Sequence, residues 1–528
     1  MLNILILSFF IFSSDGYKIL IFNPKFGTSH VTYTGKIADT LAVAGHEVVV
    51  YQPVLNENIT FTGSKEPSIR YYTKPRNYTF LPGFGMHRVQ GLLWQDNSFS
   101  KIWAREKLMY EIKFGFCQEI LNDNVNLDAL KEEQFDLGIT EIFESCGFGV
   151  FKLLGIKKYI AAYGGSYLTT HMTLLGIPVP YSYAPGIMMQ VTDQMSFFQR
   201  VRNFLVTSFE QVLMYNFFAT GPEAAIREKI PNYSMHKAMQ DSVFIYVNSD
   251  ENIDFALPST HKIVYIGGIG KVQSAKLEQK YIDIFNNATR GVILFSFGSV
   301  IRSSDMPTEY KKAFLDAFDE FPDINFLWKY EEDDHEIAKD HRNVFTGKWL
   351  PQPDILDHAK LLAFISHGGM NSVIEGSTKG VPMITCPIFA DQIHNAMILV
   401  RRGTGILLDK NLLTKEHIVM AIKEMISNDN YRKNAQFLSQ MVKFKPMSAD
   451  KRIVKYAEFA VQFGDTSFLQ TQGRNMNLIQ IYSLDVITFI FILVAAVSFI
   501  MIWAIQTMYK LFRYVLRYCS ALIKMKRD

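Results

Sequence analysis

The sequence predicts an α/β protein built from two parallel-sheet halves, followed by a membrane-spanning helix. Three observations carry this. Apolar runs of strand length alternate with helical stretches, as expected of strands covered on both faces. The runs fall into two groups of similar size, one before and one after Ile266-Gly267-Gly268-Ile269. Near the C-terminus, residues 486–509 carry no charge and are long enough to cross a bilayer core of about 30 Å.

The first group of strands is expected at Lys18–Phe22, 47–51, 135–140, 158–163 and 242–249. The second is expected at 291–299, 325–330, 343–349, Leu361–Ser366, 382–387 and 404–408. A chain of 528 residues with 48% hydrophobic content has material for packed cores in both halves. The 54 basic and 51 acidic residues leave a net charge of +3, so no basic field exists to draw in nucleic acid. Four cysteines cannot build a disulfide framework.

The ends read as addresses and anchors. Residues 2–12 are apolar but too short to span, and Ser13, Ser14, Asp15 and Gly16 follow. That is the shape of a secretory signal peptide cut near Gly16, although no basic residue precedes the apolar run. At the other end, Lys510, Arg513, Arg517, Lys524, Lys526 and Arg527 follow the uncharged stretch. The positive-inside rule then puts the tail in the cytosol and the body on the lumenal side. Lys524 and Lys526 have the spacing of a dilysine retrieval signal of endoplasmic-reticulum membrane proteins. Sequons at Asn58, Asn77, Asn232 and Asn287 fit that compartment. Cys117, Cys146 and Cys386 would be lumenal and allow at most one intrachain bridge, while Cys519 lies beyond the span. The expected divisions are 1–16 (signal), 17–266 (first half), 267–465 (second half with a return helix at 448–463), 486–509 (span) and 510–528 (tail).

Ligands of open parallel sheets bind beyond the carboxyl ends of the strands. In the second half, three strand ends are rich in glycine and polar residues: Phe297-Gly298-Ser299, Ser366-His367-Gly368-Gly369-Met370-Asn371-Ser372 and Phe389-Ala390-Asp391-Gln392. A strand, two glycines and then a helix from about Val373 leave free amides at a helix start, which suit a pyrophosphate without a metal ion. A plain capped turn is the alternative, and GxGxxG is absent.

The run Trp349-Leu350-Pro351-Gln352, His358, His367-Gly368-Gly369, Asn371-Ser372, Glu375, Pro382, Pro387 and Asp391-Gln392 resembles the nucleotide-sugar box of UDP-glycosyltransferases. The resemblance is widest with the membrane-anchored UDP-glucuronosyltransferases and covers nearly the whole chain. It implies a GT-B fold: two facing Rossmann-like domains, with the UDP-sugar in the second and the acceptor in the first. It also implies residue roles. Trp349 should lie against uracil, and Gln352 near uracil or ribose. Glu375 should accept from the ribose hydroxyls, as a carboxylate does from a diol. Ser299, His367, Asn371 and Ser372 should hold the diphosphate beside Gly368 and Gly369. Asp391 and Gln392 should bond the sugar hydroxyls. His358 reads as helix packing, and His394 receives no role.

A hydroxyl acceptor needs a base, and histidine suits neutral pH. His30 follows the first strand, in a loop leading into a helix at about 32–44, and matches the family's catalytic histidine. Its expected carboxylate partner is Glu141, where mammalian members carry aspartate. Residues 174–218 are rich in aromatic residues and methionine, with Arg200 and Arg202 among them. They fit an acceptor pocket, a membrane-surface element or an ordinary pair of core helices.

The expected activity is transfer of glucuronic acid from UDP-glucuronate, with inversion, to a hydroxyl of small lipophilic acceptors. The UDP-sugar is a co-substrate, and no cofactor or metal is expected. UDP-glucose is the alternative donor. A catalytically inactive nucleotide-sugar-binding subunit is the alternative class. Self-association of the chain is not readable.

Overall fold

The computed structural model describes residues 16–77, 94, 99–270, 277–464 and 466–526. Nearly all of the expected signal segment, Tyr78 and Thr79 of one sequon, the link after Gly270 and the last two residues lie outside these.

The first sheet contains β1 (Lys18–Phe22), β2 (Glu47–Pro53), β3 (Arg70–Lys74), β4 (Leu137–Glu141), β5 (Tyr159–Tyr163), β6 (Ile245–Val247) and β7 (Ile263–Tyr265). Its order is β3-β2-β1-β4-β5-β6-β7, with every neighbouring pair parallel. The second sheet contains β8 (Gly291–Ser296), β9 (Ile324–Lys329), β10 (Val344–Gly347), β11 (Leu361–Ser366), β12 (Met383–Thr385) and β13 (Gly405–Leu407). Its order is β10-β9-β8-β11-β12-β13, again all parallel. The expected strands are all present within a few residues of their ends, and β3 and β7 are additional edge strands.

The second sheet shows why its strands read as unbroken apolar runs. Ile293 and Phe295 of β8 join Phe326, Trp328, Ala363 and Ile365 in a core on one face. Val292 and Leu294 alternate with them and join Leu327, Phe364 and Met383 on the other. With both faces dry, most positions are apolar, and buried polar ones such as Asn325 and Thr385 are hydrogen-bonded.

Helix Thr28–Val43 begins four residues earlier than expected, because Gly27 takes the extended N-cap conformation directly after the turn. His30 therefore sits in the helix's first turn and not in a loop. Helix Ala449–Phe463 is capped by Ser448 and returns to the first sheet. Its Ile453, Ala457, Ala460 and Val461 share a core with Ile19, Ile21, Ile139 and Ile160. Cys117 and Cys146 form a disulfide that ties helix Phe99–Leu121 to helix Cys146–Leu154. Cys386 is free and buried.

Residues 176–178 and 471–528 form a separate compact unit. Within it, Thr471 Oγ1 donates to the Gly176 carbonyl at 3.2 Å. Helix Leu484–Met525 has 42 residues, none of them buried. At 1.5 Å per residue it is about 63 Å long, roughly twice a bilayer core. It outruns the uncharged stretch because neither glycine nor proline interrupts it.

Candidate active site

Each sheet reverses its winding once, between β1 and β4 in the first and between β8 and β11 in the second. Connections leave such a point in opposite directions and open a crevice beyond the strand ends. The residues singled out in the sequence gather at these two points.

At the second sheet, Gly298 follows β8 with φ 78° and Gly368 follows β11 with φ 83°, both in the left-handed region. The imidazole of His367 fills a slot between glycines. A Cβ on Gly298 would lie 2.8 Å from its Cε1, and one on Gly369 would lie 2.5 Å from its Nε2. Burial, with Lys329 nearby, pushes the pKa of His367 down to about 4. At neutral pH the ring thus offers a diphosphate oxygen an N–H and no charge. Helix Met370–Lys379 starts from Gly369 without a side-chain cap, so its first-turn amides are left for an anion. Ser372 is buried in that first turn, and Ser299 is half-buried after Gly298. Asn371 Oδ1 accepts from Asn248 Nδ2 of the first half at 2.7 Å.

One turn further along, Glu375 accepts from Gln352 Nε2 at 2.6 Å. Burial raises the pKa of Glu375, and this bond together with Lys36 opposes the rise. Trp349 is 69% exposed, with the Lys329 ammonium 5.8 Å from its ring centroid. Its indole is free to stack on a base. Asp391 accepts from Asn395 Nδ2 at 2.9 Å. Gln392 differs from expectation. Its Oε1 accepts from the Ile388 and Phe389 amides at 2.8 and 3.1 Å, so only its amide nitrogen remains for a sugar hydroxyl. His358 stacks on Phe285 with centroids 3.6 Å apart, as packing. His394 is fully buried, edge-on to Phe255.

At the first sheet, His30 Nδ1 lies 2.7 Å from Glu141 Oε1. A carboxylate only accepts, so Nδ1 carries the proton and Nε2 is the basic nitrogen. The Glu141 side chain is 3% exposed and that of His30 23%. Glu141 Oε1 also accepts from the Gly164 amide at 3.0 Å. Phe26 and Phe143 wall the imidazole at centroid distances of 4.7 and 4.5 Å.

The two halves meet at the turn after β5, which the sequence reading overlooked. A Cβ on Gly164 would lie 2.6 Å from Glu141 Oε1, and one on Gly165 3.2 Å from Asp391 Oδ2. Ser166 Oγ donates to Asn395 Oδ1 at 3.1 Å, and Asn395 Nδ2 donates to the Gly368 carbonyl at 3.0 Å. Paired glycines after a strand were the signal to follow, as in the second half. Lys113 was beyond reach, since nothing in its neighbours in sequence marks it. It is buried, donates to the Phe143 carbonyl and lies 4.5 Å from the rings of Phe143 and Phe217. Burial pushes its pKa down and that of the adjacent buried Glu144 up.

His171 supports this turn by packing edge-on to Tyr163, with centroids 4.7 Å apart. Burial pushes its pKa down to about 4. The unfolded chain therefore binds the extra proton first, and stability from this group is complete above about pH 6.5 and lost as pH falls toward 4. At pH 5 the loss is about 2 kcal/mol. His171→Gln is expected to lose less Tm than the parent between pH 7.5 and pH 5. Equal losses in the two proteins would mean that His171 is not buried neutral.

Comparison with known proteins agrees with this geometry. Residues 18–519 match the family described as "UDP-glucoronosyl and UDP-glucosyl transferase". A Caenorhabditis briggsae protein provisionally named as a UDP-glucuronosyltransferase is 31% identical, over 91% of each chain. UDP-glucosyltransferase 2 of Dactylopius coccus is 28% identical, over 92% of each chain. The fold is similar to that of Phytolacca americana UGT2, solved with UDP-2-fluoroglucose and pterostilbene. That match has a TM-score of 0.55 and 16% identity, and covers 84% of this chain and 99% of the other. The chain is an enzyme of the GT-B fold and belongs to the UDP-glycosyltransferase family.

Proposed function

We propose that the chain transfers glucuronic acid from UDP-glucuronate, with inversion, to a hydroxyl of small lipophilic acceptors. The observation that carries the transfer reading is the His30–Glu141 pair at 2.7 Å, with Gly164 beside Glu141 and the next residue, Gly165, facing Asp391. His30 Nε2 takes the acceptor proton while the oxygen attacks the anomeric carbon from the face opposite UDP. Glu141 holds the tautomer and stabilises the imidazolium. The diphosphate leaves toward the amides of helix Met370–Lys379 and the His367 N–H, with Ser299, Asn371 and Ser372 beside it. Trp349 stacks on uracil, and Gln352 and Glu375 hold the ribose. Asp391 and the Gln392 amide hold the sugar.

UDP-glucose is the second reading. Among the described residues, the histidines His394 and His30 act on Asp391, and an imidazole is a weaker partner for a C6 carboxylate than Lys or Arg. A donor panel on microsomes with pooled phenols and sterols, read by product mass, decides. Glucuronides are expected, hexosides would replace the donor, and no product from any donor would leave only a binding subunit.

The same reading places the body in the endoplasmic-reticulum lumen, helix Leu484–Met525 across the membrane and Lys524 and Lys526 in the cytosol. The basic residues that follow the uncharged stretch support it. Protease added to sealed microsomes is expected to trim only about 2 kDa. Loss of the body instead would reverse the orientation.

A further inference from the structure

Helix Phe197–Tyr215 is built inside out. A surface helix ordinarily turns its apolar stripe to the core and its polar face to water. Here Asn203, Thr207 and Glu210, at i, i+4 and i+7, face inward and are at most 1% exposed. They hold the backbone of the preceding loop. Asn203 Nδ2 donates to the Tyr181 and Ala184 carbonyls at 2.7 and 2.8 Å, and Asn203 Oδ1 accepts from the Gly186 amide at 3.0 Å. Glu210 accepts from the Ile187 and Met188 amides at 2.9 and 2.8 Å. The outward face carries Phe198 (80% exposed), Leu205 (62%) and Val212 (62%), with Phe197, Val201, Phe204 and Phe209 around them.

Charge selects the occupant of this face. The exposed charges on the helix are Arg200 and Arg202, and its one acidic residue, Glu210, is turned inward. A two-fold pairing of copies through this face would bring four arginines together with no carboxylate of the helix to meet them. The helix carries too many polar residues along its length (Arg200, Arg202, Asn203 and Glu210 among them) to span a bilayer, but has the composition of an interfacial helix: aromatic and aliphatic residues on one side, with arginines as its only exposed charges.

We propose that helix Phe197–Tyr215 lies flat in the headgroup layer of an anionic bilayer, with its phenylalanine-rich face toward the acyl chains. The chain then touches the membrane at a second place, distinct from helix Leu484–Met525, and this does not depend on which sugar is transferred. The helix runs without a break into the π-helical turn Asn216–Thr220. Phe217 and Phe218 of that turn pack edge-on against Phe143, the ring that walls His30. A run of ring contacts thus links the end of this helix to the ring beside the base, with the Lys113 ammonium packed against it.

The test uses the full chain, reconstituted in vesicles, in a Cys519→Ser background. A bimane label is placed at Leu205→Cys or, as a control on another exposed helix, at Lys423→Cys. Vesicles contain phosphatidylcholine brominated in the acyl chains, with or without phosphatidylserine. Quenching at position 205 is expected to be at least about twofold greater than at 423, since an interfacial face sits about 5–10 Å into the lipid boundary. It is expected to fall to the control level when Arg200 and Arg202 are both changed to glutamate or when phosphatidylserine is left out. Equal quenching at 205 and 423 in anionic vesicles overturns the proposal. So does 205-to-205 cross-linking that rises with protein density while lipid quenching stays at the control level, which would assign the face to a second copy.

Discussion

Replacing His30 with alanine is expected to lower kcat by about 10²–10⁴-fold, the range of general-base catalysis, with donor binding intact. The expectation rests on what the imidazole can do where it stands. Nδ1 is committed to Glu141 at 2.7 Å, so the single free basic nitrogen points away from the carboxylate. The ring has no role at the diphosphate, so its loss leaves UDP-sugar affinity alone. Glu141→Gln is expected to cost as much or less, and the double variant little more than the worse single one, because the pair acts as a unit. Glu141→Asp is the sharper change. Glu141 Oε1 serves both the His30 ring and the Gly164 amide. A side chain one methylene shorter cannot keep both bonds, and activity should drop. Initial rates under donor saturation and isotopic donor binding separate the outcomes. Full activity of His30→Ala toward an alcohol of high pKa would end the base assignment.

Gly164→Ala is expected to lower kcat by about 10²-fold, the usual scale for displacing a catalytic group by an ångström. The new methyl would lie 2.6 Å from Glu141 Oε1 and 3.3 Å from His30 Nδ1. The carboxylate must yield, and it is buried with nowhere wet to go, so it leaves the imidazole. This loss should match that of Glu141→Gln and should not add to it, because both remove the same contact. Gly165→Ala makes a useful contrast. Its methyl would approach Asp391 at 3.2 Å, so the change should appear in donor KM. A Gly164→Ala variant that combines additively with Glu141→Gln would show that the glycine acts through some other route.

Much of this was legible in the sequence, for reasons particular elements make plain. β8 and β11 are sandwiched between two cores, so their runs are unbroken and easily read. β3 is an edge strand, Arg-Tyr-Tyr-Thr-Lys, with no fully buried residue, so no apolar run marked it. β7 is three residues long and ends at glycines. The box residues carried their spacing with them, and contacts such as Gln352–Glu375 and Asp391–Asn395 join some of them. Cys117–Cys146 is a bridge that composition permitted but could not choose, since the pairing depends on where helix Phe99–Leu121 docks. Gln392 shows the opposite limit. Its type and position were visible, but the loop amides that occupy its oxygen come from the folded turn.

The return of helix Ala449–Phe463 to the first sheet means that the polypeptide crosses between the halves twice, once after β7 and once after Lys443. The buried pair Lys445–Asp250, at 2.7 Å, fastens the second crossing. A single crossing would be a swivel, free to bend and to twist. Two crossings restrain the halves more than one, since the second adds a packed helix and a buried ion pair. Helix Ala449–Phe463 thus belongs in sequence to the second half and in packing to the first, so the halves share a core element and not only a linker.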